Sequence, residues 1–405
     1  MRYGHKGVTG DTDLATAETY RQILKEHDKQ FPLPADCAKE AFLNRAVAPK
    51  RSAGKPPQPV QAMPRVKTGI PIPGIDFILL AVLLLTIVFA TGLGAVRLPL
   101  PQVLSAFLHP TRASEAGEII FGLRLPRIVA AGLVGAALSA TGVLFQGLFR
   151  NPLADPFVLG TSGGAALGGA VGIFLIPTLS IAGFSATAVL AFCGSLLTMV
   201  LVWYLARAGG RFAMETLLLA GFAIGTILNA ATVMFELREE ASNSGLRVLA
   251  AWLHGQIGVP AWSQLGLIAP LVAVAIALSM TLAGRLNTLA LGEEYATQLG
   301  VSVNRVRMAT VVLGSLLTAA AVSLGGLIGF VGLLVPHFLR ILIGPNHVRL
   351  LPAAALGGAV FLILCDTFAR TVFAPAEIPV GVFTAFLGGP AFLYLLNHRS
   401  RESRP

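Results

Sequence analysis

In DFILLAVLLLTIVFATGLGAV, residues 76–96, Asp76 is the only charged residue. A helix of about 20 apolar residues crosses the hydrocarbon of a bilayer, so this stretch is predicted to be a span. Working outward, comparable stretches stand near 122–148, 157–176, 182–206, 214–235, 262–283, 308–328, 330–343, 350–369 and 380–396. The expectation is an all-α, polytopic membrane protein with about ten transmembrane helices. Gly325, Gly326, Gly329 and Gly332 make the division between the seventh and eighth spans either a turn or a broken helix. The 405 residues are 55% hydrophobic and only 12% charged, about half the charged share of a soluble domain. An ordinary soluble enzyme is excluded.

Charge divides the chain into sections. Every lysine lies at or before Lys67, and beyond it each Lys/Arg position is arginine. Residues 1–70 form a polar, basic extension, 71–398 the transmembrane domain and 399–405 a short basic tail. The first thirty residues lack the apolar core of a secretory signal, and Asp13–Gln30 suits a short helix. The net charge of +10 does not call for nucleic acid, because basic segments beside a membrane are attracted by anionic lipid. Cys37, Cys193 and Cys365 are far apart and form no CxxC, which indicates neither a disulfide framework nor a zinc site.

Lys and Arg near span ends are retained on the cytoplasmic side. With ten spans, one face holds Arg150, Arg207, Arg211, Arg285, Arg305, Arg307, Arg340, Arg349 and the basic C-terminus. The other holds Arg97, Arg112, Arg124, Arg127, Arg238, Arg247 and Arg370. Adding the basic extension to the first set predicts both termini inside.

Proton- or sodium-driven transporters usually carry acids within their spans, whereas here nearly every carboxylate maps to a loop, with Asp76 and Asp366 closest to apolar sequence and near predicted span ends. HExxH and GxxxxGK[ST] are absent, and no Ser/Lys or paired-Asp arrangement suits intramembrane hydrolysis, so neither that chemistry nor nucleotide binding is indicated. If ATP is used, another chain binds it. Gly160, Gly164, Gly168 and Gly172 recur every four residues, a bare face that lets two helices approach closely or that meets a substrate. An inverted internal duplication is only hinted at, by Ala137-Leu138-Ser139 with Gly142 against Ala321-Val322-Ser323 with Gly326 on oppositely running spans, while AALGGA at both Ala165 and Ala354 falls on spans that run the same way.

Three connecting segments carry chemistry. Leu289–Gly300 reads LALGEEYATQLG: Gly292 can start a helix, Glu293 and Glu294 suit its positive end, and Gly300 can stop it. Such a helix docks a cytoplasmic partner or lies on the lipid surface. In LRLPR, Arg124 and Arg127 flank a stiffening proline and present forks to carboxylates, with Arg370 on the same face; the alternative is anchoring among lipid headgroups. FRNPLADP, residues 149–156, is a rigid turn, since each proline excludes its predecessor from helical geometry. It serves as a connection or as a constriction at a pathway's inner mouth.

These residues resemble the FecCD family, permease subunits of importers driven by ATP-binding cassettes for iron siderophores, haem and cobalamin. The strings are LRLPR, NPLADPFVLGTSGGA, LLLAGFAIG, ALGEEYATQLGV, GFVGLLVPHFLR, GPNH and FAPAEIPVG. The resemblance implies a type II importer permease fold in a bacterial inner membrane. It implies a second permease copy, two ATPase subunits that hold ATP and magnesium, and an external substrate-binding protein; the chain itself carries no cofactor, metal or catalytic residue. Leu291, Gly292, Glu293, Glu294, Ala296, Leu299 and Gly300 then match an ATPase-coupling helix, and Arg124, Arg127 and Arg370 match arginines that receive the binding protein's acids. Asn151 and Leu153 match a cytoplasmic gate. A second gate position, often a small hydroxyl residue in the family, has Met214 and Glu215 nearest here. The cargo implied first is siderophore-bound iron, then haem or cobalamin. A secondary transporter driven by an ion gradient is the competing expectation.

Overall fold

Glycine- and proline-marked turns cut the apolar sequence into thirteen helices among the residues that the computed structural model describes. These are 74–402 apart from 95, 97, 110–114, 208–213, 239–242 and 375. The N-terminal extension, with Asp13–Gln30, lies outside them, as do Arg97, Arg112, Arg211 and residues 403–405. In chain order the helices are α1 (Ile75–Gly92), α2 (Leu100–Leu108), α3 (Glu115–Leu148), α4 (Thr161–Phe174), α5 (Ala186–Arg207), α6 (Met214–Arg238) and α7 (Asn243–Leu253). They continue with α8 (Trp262–Ala290), α9 (Glu293–Gln298), α10 (Val303–Gly325), α11 (Val331–Ile343), α12 (His347–Thr371) and α13 (Val380–Glu402). A two-stranded hairpin, β1 (Ser180–Ile181) with β2 (Phe184–Ser185), precedes α5.

Seven helices are long and apolar enough to cross a membrane: α1, α3, α5, α6, α8, α10 and α12. With the shorter apolar segments α4, α11 and Val380–Leu393 of α13 they make up the ten expected spans. The division near Gly329 is a turn. α10 stops at Gly325, and Gly326 and Phe330 take left-handed φ values of 68° before α11. A Cβ at Gly326 would overlap the Trp252 carbonyl, so the close approach as well as the backbone angle requires glycine there.

α3 is the centre. Of its most apolar window 78% is buried, against 17% for α1, and α12, α10, α8 and α11 pack around it. Its first part, Ile119–Arg124, is π-helical, and the Leu125 N–H bonds back to Ile120. Pro126 supplies the reason: without an N–H, and with a ring that crowds the carbonyl four residues earlier, it widens the turn before it. Further along, Gly135 abuts the Gly358 carbonyl of α12 and Gly142 the Gly332 carbonyl of α11, with no room for a Cβ at either. Where lipid removes the hydrophobic gain of association, such backbone contact holds helices together.

The glycine run after residue 159 divides its work. Gly164, Gly168 and Gly172 pack on α5, against the main chain of Gly194, Leu190 and Thr187. Gly160 does not belong to that helix face. It takes φ 74° as the cap between the 3-10 turn Pro156–Leu159 and α4, and it meets the Gly221 carbonyl of α6. A left-handed residue cannot continue the helical row, so the predicted four-residue period holds for three members.

Candidate functional site

The candidate side chains gather at two ends of the helical region. At one end, the start of α3, the end of α1 and the end of α12 converge on a cleft of ≈ 300 Å³ lined by Arg124, Arg127, Arg370 and Glu377 among others. All three predicted arginines are here, but their guanidinium groups are engaged within the chain. Arg124, 6% exposed, donates to the Thr91 and Val96 carbonyls. Arg370, 9% exposed, donates from Nη2 to the Ala90 carbonyl at 2.9 Å, and its Nε stands 3.6 Å from Asp366. These are carbonyls at and just beyond the last turn of α1, acceptors that a helix end leaves over. Two of the arginines therefore fasten a peripheral span to the core rather than standing open as forks.

Arg127 differs. Its Nε and Nη2 reach Asp366 Oδ1 at 3.1 and 3.0 Å, and Nη1 donates to Glu377 Oε2 at 2.9 Å. Asp366 is 1% exposed, and the Glu377 side chain 43%. The buried acid balances two buried cations, as burial of charge demands.

At the opposite end, α9 stands between α8 and α10 and exposes Leu291, Tyr295 and Leu299 while burying Ala296. Gly292 (φ 128°) and Gly300 (φ 79°) bound it. This is the short helix predicted from Gly292 to Gly300. Glu293 does more than suit the helix start: it pairs with the buried Arg307 of α10 and stands 3.9 Å from Arg150 at the end of α3. Glu294 lines an open hollow of ≈ 700 Å³ together with Thr297, Asn304 and Arg305. Nearby, Asn287 of α8 accepts from the His347 N–H at 2.9 Å and donates to Asn346 at 2.8 Å, which joins the ends of α8 and α12.

The turn after α3 is rigid as expected. Arg150 takes φ 50°, Asn151 Oδ1 accepts from the Leu153 N–H at 3.0 Å, and Asp155 Oδ1 accepts from the Phe157 N–H at 2.9 Å. Desolvation pushes the Asp155 carboxyl up to about 6, against the lowering effect of the Phe157 bond. The contribution of this raised group to stability is greatest below the ordinary carboxylate range and is lost as pH rises through about 6. Met214 is half-buried and Glu215 exposed at the start of α6. Among the described residues no hydrogen bond or ion pair joins them to Asn151 or Leu153; the two segments meet further along, at Gly221 against Leu159.

Asp366, Glu377 and the Glu293–Arg307 pair were not assigned from the sequence. Asp366 gave one sign, as a carboxylate in an apolar span four residues before Arg370. Glu377 lies within the string FAPAEIPVG, where nothing local marks its distant partner. Among the described residues no group of three or more His, Cys, Asp or Glu stands together as metal ligands.

Known proteins are similar to this chain over most of their own length. The chain is 41% identical over 326 residues to the hemin transport system permease HmuU of Yersinia pestis, covering 79% of this chain and 96% of that protein. It is likewise 41% identical over 312 residues to the cobalamin import system permease BtuC of Halobacterium salinarum, covering 76% and 81%. An inward-facing solved structure of an ABC transporter assigned to the metal-chelate type superposes with a TM-score of 0.68 at 32% identity, over 80% of this chain and 99% of that one. The profile of the FecCD transport family matches residues 82–398, the whole region that carries both ends described above, and the chain belongs to that family.

Proposed function

We propose that this chain is the permease subunit of an ATP-driven metal-chelate importer. Two copies enclose the pathway, two separate ATPase subunits bind ATP and magnesium, and an external binding protein delivers the cargo. The α9 end faces the cytoplasm with both termini, and the arginine end faces outward, in a bacterial inner membrane. The observation that carries this reading is α9 itself. It is a six-residue helix set between two spans, tied to α10 through Glu293 and Arg307, with Leu291, Tyr295 and Leu299 each more than 60% exposed. Apolar side chains held outward on a braced element suit insertion into a cleft of a partner. A push on α9 then passes to α10 through the ion pair and to the α3 turn through Arg150. Exposed large side chains along α5 and α6, such as Tyr204 (71%), Leu219 (68%) and Phe222 (74%), leave a broad apolar face for lipid and the second copy.

The cargo follows from chemistry shared by the relatives. A pathway lined by generic apolar and small residues passes a metal that arrives already caged, with recognition supplied by the binding protein. The hemin and cobalamin relatives make a macrocyclic chelate the class to try first, ahead of siderophore-bound iron.

Tyr295→Ala combined with Leu299→Ser tests α9 without touching Glu293. Loss of two exposed contact residues should cut ATP-dependent uptake by the assembled complex by about tenfold or more while leaving the melting temperature of the permease unchanged. Uptake at the wild-type rate would remove α9 from coupling. Hemin, cyanocobalamin and a ferric siderophore, offered in turn with the binding protein that copurifies, identify the cargo by which one accumulates.

A further inference from the structure

Arg127 is shared between two carboxylates of unequal depth. Asp366 sits within α12, is 1% exposed and also faces Arg370. It is a fixed partner. Glu377 lies on the connection between α12 and α13, its side chain 43% exposed at the rim of the ≈ 300 Å³ cleft. An exposed ion pair is weak, because water and salt screen it and two long side chains must be held still. Arg124 and Arg370 spend their guanidinium groups on main-chain carbonyls of the α1 end and on Asp366. Arg127, its own side chain 12% exposed, thus pairs through Nη1 with the more easily exchanged of its two carboxylates at the cleft rim.

We infer that Glu377 is an internal stand-in for an acidic side chain of the docking protein. In the undocked permease it holds Arg127 in place, and it is displaced when an external carboxylate takes Nη1. This rests on the proposed function, with the outward-facing arginine end meeting the external binding protein, and adds a competitor to that docking. One ion pair is exchanged for another, so docking gains only the difference between them. The consequence is an outer face that binds its partner loosely enough to release it after each delivery and does not trap other anions. It also narrows the docking role among the three arginines to Arg127, with Arg124 and Arg370 as positioning residues that fix α1.

The test uses the full complex in lipid nanodiscs, with the binding protein isolated alongside it from the source cells as the probe. Glu377→Gln removes the competing charge and keeps the side-chain size. Docking should tighten about three- to tenfold, chiefly through slower release, and should become more sensitive to salt because a net ion pair now forms. In an Arg127→Gln background the same substitution should leave affinity unchanged. Unchanged or weaker docking by Glu377→Gln, where Arg127→Gln weakens it, overturns the stand-in and leaves the docking role intact. Equal tightening in both backgrounds overturns exchange in favour of a general field effect. If neither substitution alters docking, the docking role itself fails and the stand-in with it. Should Glu377→Gln melt below the wild type, Glu377→Asp, which keeps the charge but shortens its reach, carries the same expectation at smaller size.

Discussion

Asp366→Ala is expected to prevent the permease from accumulating as a stable membrane protein. The carboxylate is 1% exposed and lies 3.0 Å from Arg127 and 3.6 Å from Arg370. Its loss leaves the buried Arg370 without a counter-charge and Arg127 with only the half-exposed Glu377. Removing one partner of a buried ion pair costs about 3–5 kcal/mol, and folded proteins are stable by only about 5–15 kcal/mol. The loss also frees Arg127 and Arg370 to move, so the hold of Arg370 on α1 weakens with it. Asp366→Asn keeps the shape and removes the charge; it should be nearly as damaging, whereas Asp366→Glu keeps the charge and should be milder. Thermal unfolding of the detergent-purified chain reads all three. An Asp366→Ala protein melting with the wild type would show that the arginines do not depend on this acid.

A comparably large effect is expected from one methyl group at Gly142. A Cβ there would overlap the Gly332 carbonyl and crowd its Cα at 2.8 Å, and both obstacles are main chain of α11. Overpacking costs about 1–3 kcal/mol when side chains can adjust. A helix backbone cannot adjust locally, so α3 and α11 must separate along their seam. Gly142→Ala should therefore lower the yield of folded protein sharply. Gly284 of α8 is the control: nothing lies within 4 Å of its added Cβ, and replacing glycine by alanine inside a helix gains about 1 kcal/mol. Gly284→Ala should melt at or slightly above the wild type. Equal behaviour of the two variants would mean that the α3–α11 contact does not hold the bundle.

The contrast between these substitutions marks what a sequence reveals. Spans were legible because lipid demands a long apolar run with every backbone group satisfied internally, a property of neighbours in sequence. Hence the predicted 330–343 meets α11 at Val331–Ile343, and 214–235 meets the start of α6 at Met214. The helix at Glu293 was legible for the same reason, since two glycines and two acids mark its ends locally. The amphipathic α2 and α7 between spans went unread, being too short to register as crossings. Side-chain partnership was harder, because it joins distant parts of the chain: 239 residues separate Arg127 from Asp366 and 250 separate it from Glu377. Two arginines beside a proline read as open forks or as anchors, and only the fold shows Arg124 turned back onto the end of α1. The gate remains a sequence-based proposal at Asn151 and Leu153, with the turn's rigidity explained and its pairing with Met214 and Glu215 not seen.

As proposed above, this chain is a conduit moved by ATP hydrolysis on other subunits. Proteoliposomes holding the permease alone, or the permease with its ATPase partners, should be loaded with ATP and given the cargo-laden binding protein outside. Accumulation against the concentration gradient is predicted only where the ATPase is present, and it should persist when proton and sodium gradients are collapsed. Uptake by the permease alone, sustained by an imposed ion gradient, would make it a secondary transporter and not a conduit driven by ATP.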